Sequence, residues 1–218
     1  MENKVDLIIP VYNCFDFAIT LINSILDSDI SRVNKIIMID DQSTEGNLSD
    51  LFHHDVIEVH RMPYKGYFSG TVNYGVSLSD AEYICIMNHD MKVLPEWKNW
   101  LTMCLEYYEK ILNIGMVSPN LGPYHHPLDK GHMPTYEIYK DCAQIQFGAA
   151  FMKRSIWDEV GKLLDYGRYR VWHSDKEWLN RLTLKGYCVA YVPCWIAHAG
   201  GVSVHELIKV DPIREDEK

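Results

Sequence analysis

Residues 83–92 read YICIMNHDMK. The first five are apolar without a break, so they do not alternate as a strand with one wet face does. Such a run marks a strand buried on both faces, which belongs in a parallel sheet with helices on either side. It stops abruptly at Asn88-His89-Asp90. A turn accounts for that tripeptide, because Asn and Asp hydrogen-bond their own backbone and commonly end strands. A ligand site accounts for it as well once other polar strand ends lie beside it, since ligands of open parallel sheets bind beyond the carboxyl ends of the strands.

The preceding chain supplies those neighbours. VDLIIP (5–10) is a similar strand, and Phe15 to Leu26 has helical spacing through Phe17, Leu21, Ile22 and Ile25. NKIIMID (34–40) is a second strand, followed by a polar turn and a short helix near Leu48 to Phe52; DVIEVHR (55–61) is a third. A helix over Phe68 to Leu78 leads into AEYICIMN (81–88). The β-α-β-α order predicts a parallel sheet flanked by helices. Its strand ends Pro10-Val11-Tyr12-Asn13, Asp40-Asp41-Gln42-Ser43 and Asn88-His89-Asp90 converge.

Downstream, a helix over Glu96 to Leu112 and a strand at IGMVSPN (114–120) are expected. Residues 121–140, rich in proline, glycine and histidine, predict a long loop. His125, His126 and His132 have irregular spacing and read as solvated rather than metal-binding. Order resumes at QIQFGAAFMKR (144–154), with helices near Ser155 to Leu163 and Asp175 to Lys185, and YCVAYV (187–192) and WIAHAG (195–200) as two final strands. A charged tail begins at Glu206.

The length of 218 residues suits one domain. With 21 basic and 30 acidic side chains the net charge is −9, which argues against a nucleic acid as the main partner. The six cysteines form no CxxC pair and several sit in apolar runs, so they read as reduced, packed thiols. No apolar run is long enough to span a membrane and the N-terminus lacks a signal-peptide layout, so a soluble cytoplasmic protein is expected. That reading leaves room for work at a membrane surface.

In order and spacing, several segments together resemble the family 2 glycosyltransferases, nucleotide-sugar enzymes of the GT-A fold, over roughly residues 5–205. IIPVYN (8–13) is like the family's first strand and turn, IDDQSTEGN (39–47) its acidic signature, and FSGTVNYGV (68–76) its glycine- and asparagine-containing third motif. NHDMKVLPEW (88–97) stands in the place of the metal-binding DxD, and FGAAFMKRSIWDEVG (147–161) in that of the acceptor-side segment. SDKEWLNRL (174–182) is similar to the ED-type catalytic motif, and HAGG (198–201) with Ser203 to the closing HxGGxS. The resemblance implies a single Rossmann-like α/β domain with a mostly parallel sheet flanked by helices. It divides into a nucleotide-binding half (1–118) and an acceptor-side half (119–205).

It also implies an inverting transfer of a sugar from a UDP- or dTDP-sugar, aided by Mn2+ or Mg2+, to a hydroxyl on a glycan, glycolipid or other acceptor. Such a transfer needs a grip on the nucleoside, a cation on the diphosphate and a base for the acceptor. A carboxylate at Asp40 can accept the imide N–H of uracil or thymine, and Tyr12 can stack on the ring. By resemblance these roles fall on Pro10, Tyr12 and Asp40, with Asp41 near the ribose or supporting the turn. Asp90 is the natural cation ligand, and His198 the second. Asn88 replaces the usual first acid of DxD, and its amide oxygen can bond a ribose hydroxyl or a metal-bound water. Val72 replaces an often basic residue, leaving Arg61 or Lys65 to serve the nucleotide. Asn73 is a packing residue with a share in ligand contact. Asp175, leading a helix, is the implied base, with Glu177 a poorer candidate and Arg181 a brace. Tyr169, Trp97 and Trp172 are candidate sugar platforms.

Two rival functions follow from the same residues. A non-catalytic nucleotide-sugar-binding domain fits the loss of acid at Asn88. A nucleotidyltransferase needs a GxGTR-like loop after the first strand, and IIPVYNCFDF has none.

Overall fold

The computed structural model describes residues 3–123, 136–139 and 147–200. Its strands are β1 (Val5–Val11), β2 (Val33–Asp40), β3 (Ile57–Arg61), β4 (Tyr83–Met87), β5 (Met91–Val93), β6 (Ile114–Pro123), β7 (Glu137–Tyr139), β8 (Ala149–Lys153) and β9 (Cys188–His198). Its α-helices are α1 (Phe15–Leu26), α2 (Tyr67–Leu78), α3 (Trp100–Lys110), α4 (Arg154–Val160) and α5 (Ser174–Leu184). Among the described residues these strands form a nine-stranded sheet in the order β3-β2-β1-β4-β8-β6-β9-β5, with β7 also on β9.

The expected parallel half is present: β2 lies between β1 and β3, and β4 pairs with the other side of β1. The strand order therefore reverses at β1, and a crevice opens beyond its carboxyl end. Helix α2 packs on this half at Gly75, where a Cβ would meet Ile8 Cγ2 at 2.6 Å and Ile39 Cγ1 at 3.0 Å. Asp6 interrupts the apolar pattern of β1, yet both its oxygens are satisfied, by Asn34 Nδ2 at 2.9 Å and Ser79 Oγ at 2.7 Å. A buried carboxylate held this way is tolerated; stripped of its donors it would be costly.

The second half departs from the sequence expectation in four places. The sheet there is mixed, because β8 returns antiparallel between β4 and β6. The strands expected at 187–192 and 195–200 are a single strand, β9 (Cys188–His198), whose register against β6 jumps between Val192 and Trp195. The bulge absorbs Pro193, which has no N–H for the ladder. The predicted loop holds the end of β6 and the short β7; its residues 124–135, with the three histidines, lie outside the described residues, as do Ser203 and the tail. The expected helix over 96–112 begins only at Trp100, after a 3-10 turn at Pro95–Trp97. Asp29 Oδ2 accepts the Thr102 N–H at 2.7 Å in its first turn, and burial raises the Asp29 pKa.

The most consequential addition is β5, which sequence periodicity does not reveal because it is three residues long. It pairs antiparallel with the end of β9, setting Met91 opposite His198, and the Ala199 N–H donates to Asp90 O at 2.9 Å. This pairing brings the two ends of the chemistry together across the sequence.

Cys85, Cys104 and Cys194 are buried free thiols whose pKa values burial pushes up, so they are inert packing residues. No helix among the described residues is long and apolar enough to cross a membrane.

Candidate active site

Beyond the carboxyl ends of β1, β2 and β4 lies a cleft of about 350 Å³. Its walls include Pro10, Tyr12, Asp41, Asn88, Asp90 and Asp175. Asp40, Asn73 and His198 do not line it, and each is placed for a definite reason.

Asp40 and Asp41 are successive residues at a strand end, so their side chains part. Asp40 turns inward: its Oδ1 accepts the Ser43 N–H at 2.8 Å and its Oδ2 the Arg61 guanidinium at 2.5 Å. Arg61 donates again to Ser43 O at 3.1 Å, so this acid anchors its own turn. The carboxylate facing the cleft is Asp41, contrary to the expectation placed on Asp40. Its Oδ1 accepts the Gly66 N–H at 2.6 Å, and the Lys65 ammonium lies 3.4 Å from Oδ2. Burial nonetheless dominates and pushes its pKa up to about 6, against the pull of Lys65. Lys65 Nζ also sits 2.8 Å from the centre of the Tyr12 ring and donates to Asp41 O at 3.0 Å. Of the two basic candidates, Arg61 is thus committed to Asp40, and Lys65 backs two residues of the cleft wall, Tyr12 and Asp41, without lining the cleft itself.

At the end of β4, Asn88 N–H donates to Gly148 O at 3.0 Å, which aims the tripeptide into the cleft. His89, assigned no role from sequence, is 2% exposed and lines the cleft. Its Nδ1 bonds Pro10 O at 3.1 Å. A carbonyl only accepts, so Nδ1 carries the proton and Nε2 presents a lone pair. Burial lowers this histidine's pKa and favours the neutral ring. His89 thereby ties the end of β4 to that of β1, a link between residues 79 positions apart that no local pattern discloses.

Asp90 is 1% exposed, and its Oδ1 lies 3.3 Å from His198 Nε2. The two are close without hydrogen-bond alignment, and Nε2 is buried with no hydrogen-bond partner. An octahedral cation with ligands near 2.1 Å sets adjacent ligand atoms about 3 Å apart, so this pair fits a shared divalent ion. Among the described residues no group of three or more His, Cys, Asp or Glu is arranged for a metal. The remaining ligands would have to be water and substrate oxygens, which suits a phosphate-bridging ion.

Asp175 sits in the first turn of α5, where Oδ1 accepts the Lys176 N–H at 2.8 Å. It lines the cleft; Glu177 does not, being committed to Arg181 at 2.8 Å. Arg181 donates onward to Val160 O at 2.6 Å and Lys162 O at 2.7 Å, bracing α5 against the segment after α4 as the sequence suggested. Of the aromatic candidates only Trp172 reaches the cleft. Trp97 packs against the core, and Tyr169 O accepts Ser69 Oγ at 2.6 Å. Asn73 is likewise engaged elsewhere: it donates to Leu163 O at 2.9 Å and accepts the Leu163 N–H at 3.0 Å.

The model of the Glycosyl transferase family 2 matches residues 6–161. No curated protein matches the sequence. Among solved structures, GalNAc-T7 with UDP, GalNAc and Mn2+ aligns with a TM-score of 0.75 at 14% identity, over 90% of this chain and 44% of that one. S. aureus TarS (1–349) gives 0.69 at 12% identity, over 95% and 64%. The Pyrobaculum calidifontis mannosyltransferase PcManGT with GDP-Man and Mn2+ gives 0.69 at 15% identity, over 91% and 57%. The chain thus spans between 44% and 64% of these structures. At such identity the likeness is one of fold, and that fold is GT-A. Residues 6–161 hold the motifs from the first strand to the segment opening α4, and on that match the chain belongs to glycosyl transferase family 2.

Proposed function

We propose that this chain is an inverting glycosyltransferase that moves a sugar from a UDP- or dTDP-sugar to an acceptor hydroxyl with the help of Mn2+ or Mg2+. The observation that carries the reading is the convergence of Asp41, Asp90 and Asp175 on one cleft, with His198 beside Asp90. Asp41 takes the place expected of Asp40: ionised, it accepts the imide N–H of uracil or thymine, with Pro10 and Tyr12 beside it. Lys65 covers one face of Tyr12, so the base stacks on the other face or moves the ammonium aside. Asn88 serves the ribose or a water, and Asn73 acts only through the cleft wall.

Asp90 and His198 would hold the cation, which when bound neutralises the leaving diphosphate. GalNAc-T7 and PcManGT, both solved with Mn2+, support that choice. Asp175 takes the proton of the acceptor hydroxyl as its oxygen bonds to the anomeric carbon and the bond to the diphosphate breaks on the opposite face. The buried thiols support a cytoplasmic, reducing setting, and glycans or glycolipids are the acceptor classes. Incubation with UDP- and dTDP-sugars, with and without Mn2+, should release the nucleoside diphosphate; no release from any of them would sink the reading. Asn88, which removes one acid from the cation site, favours a second reading as a non-catalytic nucleotide-sugar binder. That reading is distinguished by tight UDP binding without turnover.

A further inference from the structure

A second cleft, about 380 Å³, lies beside the first. Tyr67 lines both clefts. It opens α2 with a φ of 55°, a conformation a bulky residue adopts only when its surroundings impose it. The Gly66 N–H held by Asp41 is one such constraint, and the Arg170 guanidinium, 5.5 Å from the Tyr67 ring centre, is another. The opposite wall is the segment after α4, and two polar clamps pin it to α2. Asn73, 8% exposed, binds both the N–H and the carbonyl of Leu163, and the fully buried Ser69 binds Tyr169 O. The cleft is therefore a built feature, and it gives a purpose to the Asn73 clamp that the donor cleft does not use.

Its chemistry differs from that of the donor cleft. Tyr64, 68% exposed, Tyr67 and Tyr74 offer rings, and Asp165 a single carboxylate; of the three cations that line it, Lys65 is held by Asp41 and Tyr12, while Lys162 and Arg170 stand on the opposite wall. Tyrosine rings suit the C–H faces of sugars, a lone carboxylate accepts sugar hydroxyls, and a Lys-Arg pair favours carboxylate or phosphate oxygens. This concentration of cations stands out on a chain of net charge −9. We infer that the second cleft binds an anionic carbohydrate, a glycan bearing carboxylate or phosphate, as the acceptor-side subsite of the proposed transferase. The inference rests on that transferase reading for the word acceptor, and on the cleft alone for the ligand class.

Calorimetry and saturation-transfer NMR test it with three probes: a hyaluronan tetrasaccharide carrying carboxylates, mannose 6-phosphate carrying phosphate, and neutral cellotetraose. At least one anionic probe should bind the native protein about tenfold or more tighter than cellotetraose, and which one binds identifies the anionic group. Saturating UDP with Mn2+ should not displace it. The K162Q/R170Q double variant should lose about tenfold in that affinity while binding UDP as the native protein does, which also verifies its folding. Failure of both anionic probes to bind, equal affinity for cellotetraose, displacement by UDP, or unchanged affinity in the double variant would each overturn the inference. Anionic binding that depends on Lys162 and Arg170 in a protein that binds no nucleotide would keep the subsite and overturn the transferase reading instead.

Discussion

The environment of Asp41 makes nucleoside recognition depend on pH with a definite sign. The imide N–H of uracil is a donor, so its partner must be ionised. Burial pushes the Asp41 pKa up to about 6, so about one tenth of the carboxyl is ionised at pH 5 and about nine tenths at pH 7. When only the ionised form binds, apparent affinity scales with that fraction, and uridine should bind about tenfold tighter at pH 7 than at pH 5. Uridine is the probe because it carries no phosphate to titrate. Asp41→Asn keeps a side-chain oxygen for the Gly66 N–H but presents no carboxylate; it should bind uridine weakly and lose the tenfold rise.

His89 titrates in the same cleft, with its pKa lowered by burial. It remains in Asp41→Asn, as do His173, Asp90 and Asp175, so pH dependence surviving in the variant belongs to groups other than Asp41. Stability follows the opposite course. Between the ordinary carboxylate pKa of 3.8 and about 6 the folded protein holds the Asp41 proton more tightly than the unfolded chain. The group therefore favours folding at low pH, and that contribution falls away as pH rises through the window, by roughly 3 kcal/mol at most. Chemical denaturation at pH 5 and pH 7 should show about 1.3 kcal/mol of this loss in the native protein and none of it in Asp41→Asn. Uridine affinity that is flat between pH 5 and 7, or that rises equally in the variant, would refute the assignment.

Asp175→Asn should bind UDP and Mn2+ as the native protein does and transfer sugar about 10²–10⁴-fold more slowly, as expected for loss of a general base; native turnover would reduce Asp175 to a residue of the helix's first turn. Asp90→Ala and His198→Ala should each weaken Mn2+-dependent UDP binding, measured by calorimetry, and leave metal-free binding nearly unchanged. Gly75→Ala should lower stability by about 1–3 kcal/mol, because the added methyl meets Ile8 and Ile39 across the α2 interface; an unchanged melting temperature would show that the helix can shift away.

The alternation of apolar runs and helical periods, read without any tertiary information, was enough for β1 to β4 and the helices between them. These are local patterns, and a strand buried on both faces announces itself by an unbroken apolar run. The convergence of strand ends at residues 10–13, 40–43 and 88–90 followed from the same order, and with it most of the cleft. Local pattern could not say which of two adjacent carboxylates turns inward. Asp40 is captured by Arg61, 21 residues on, and only the pairing of β2 with β3 creates that contact. Nor could it find β5, too short to show a period, although β5 sets His198 beside Asp90. Asn73 and His89 make the same point: one clamps the wall of a second cleft, the other ties two strand ends, each through partners far away in the chain. The residue types able to do the chemistry are written in the sequence; which of them face the cleft is decided by long-range hydrogen bonds, because a buried polar group settles wherever its partners are satisfied.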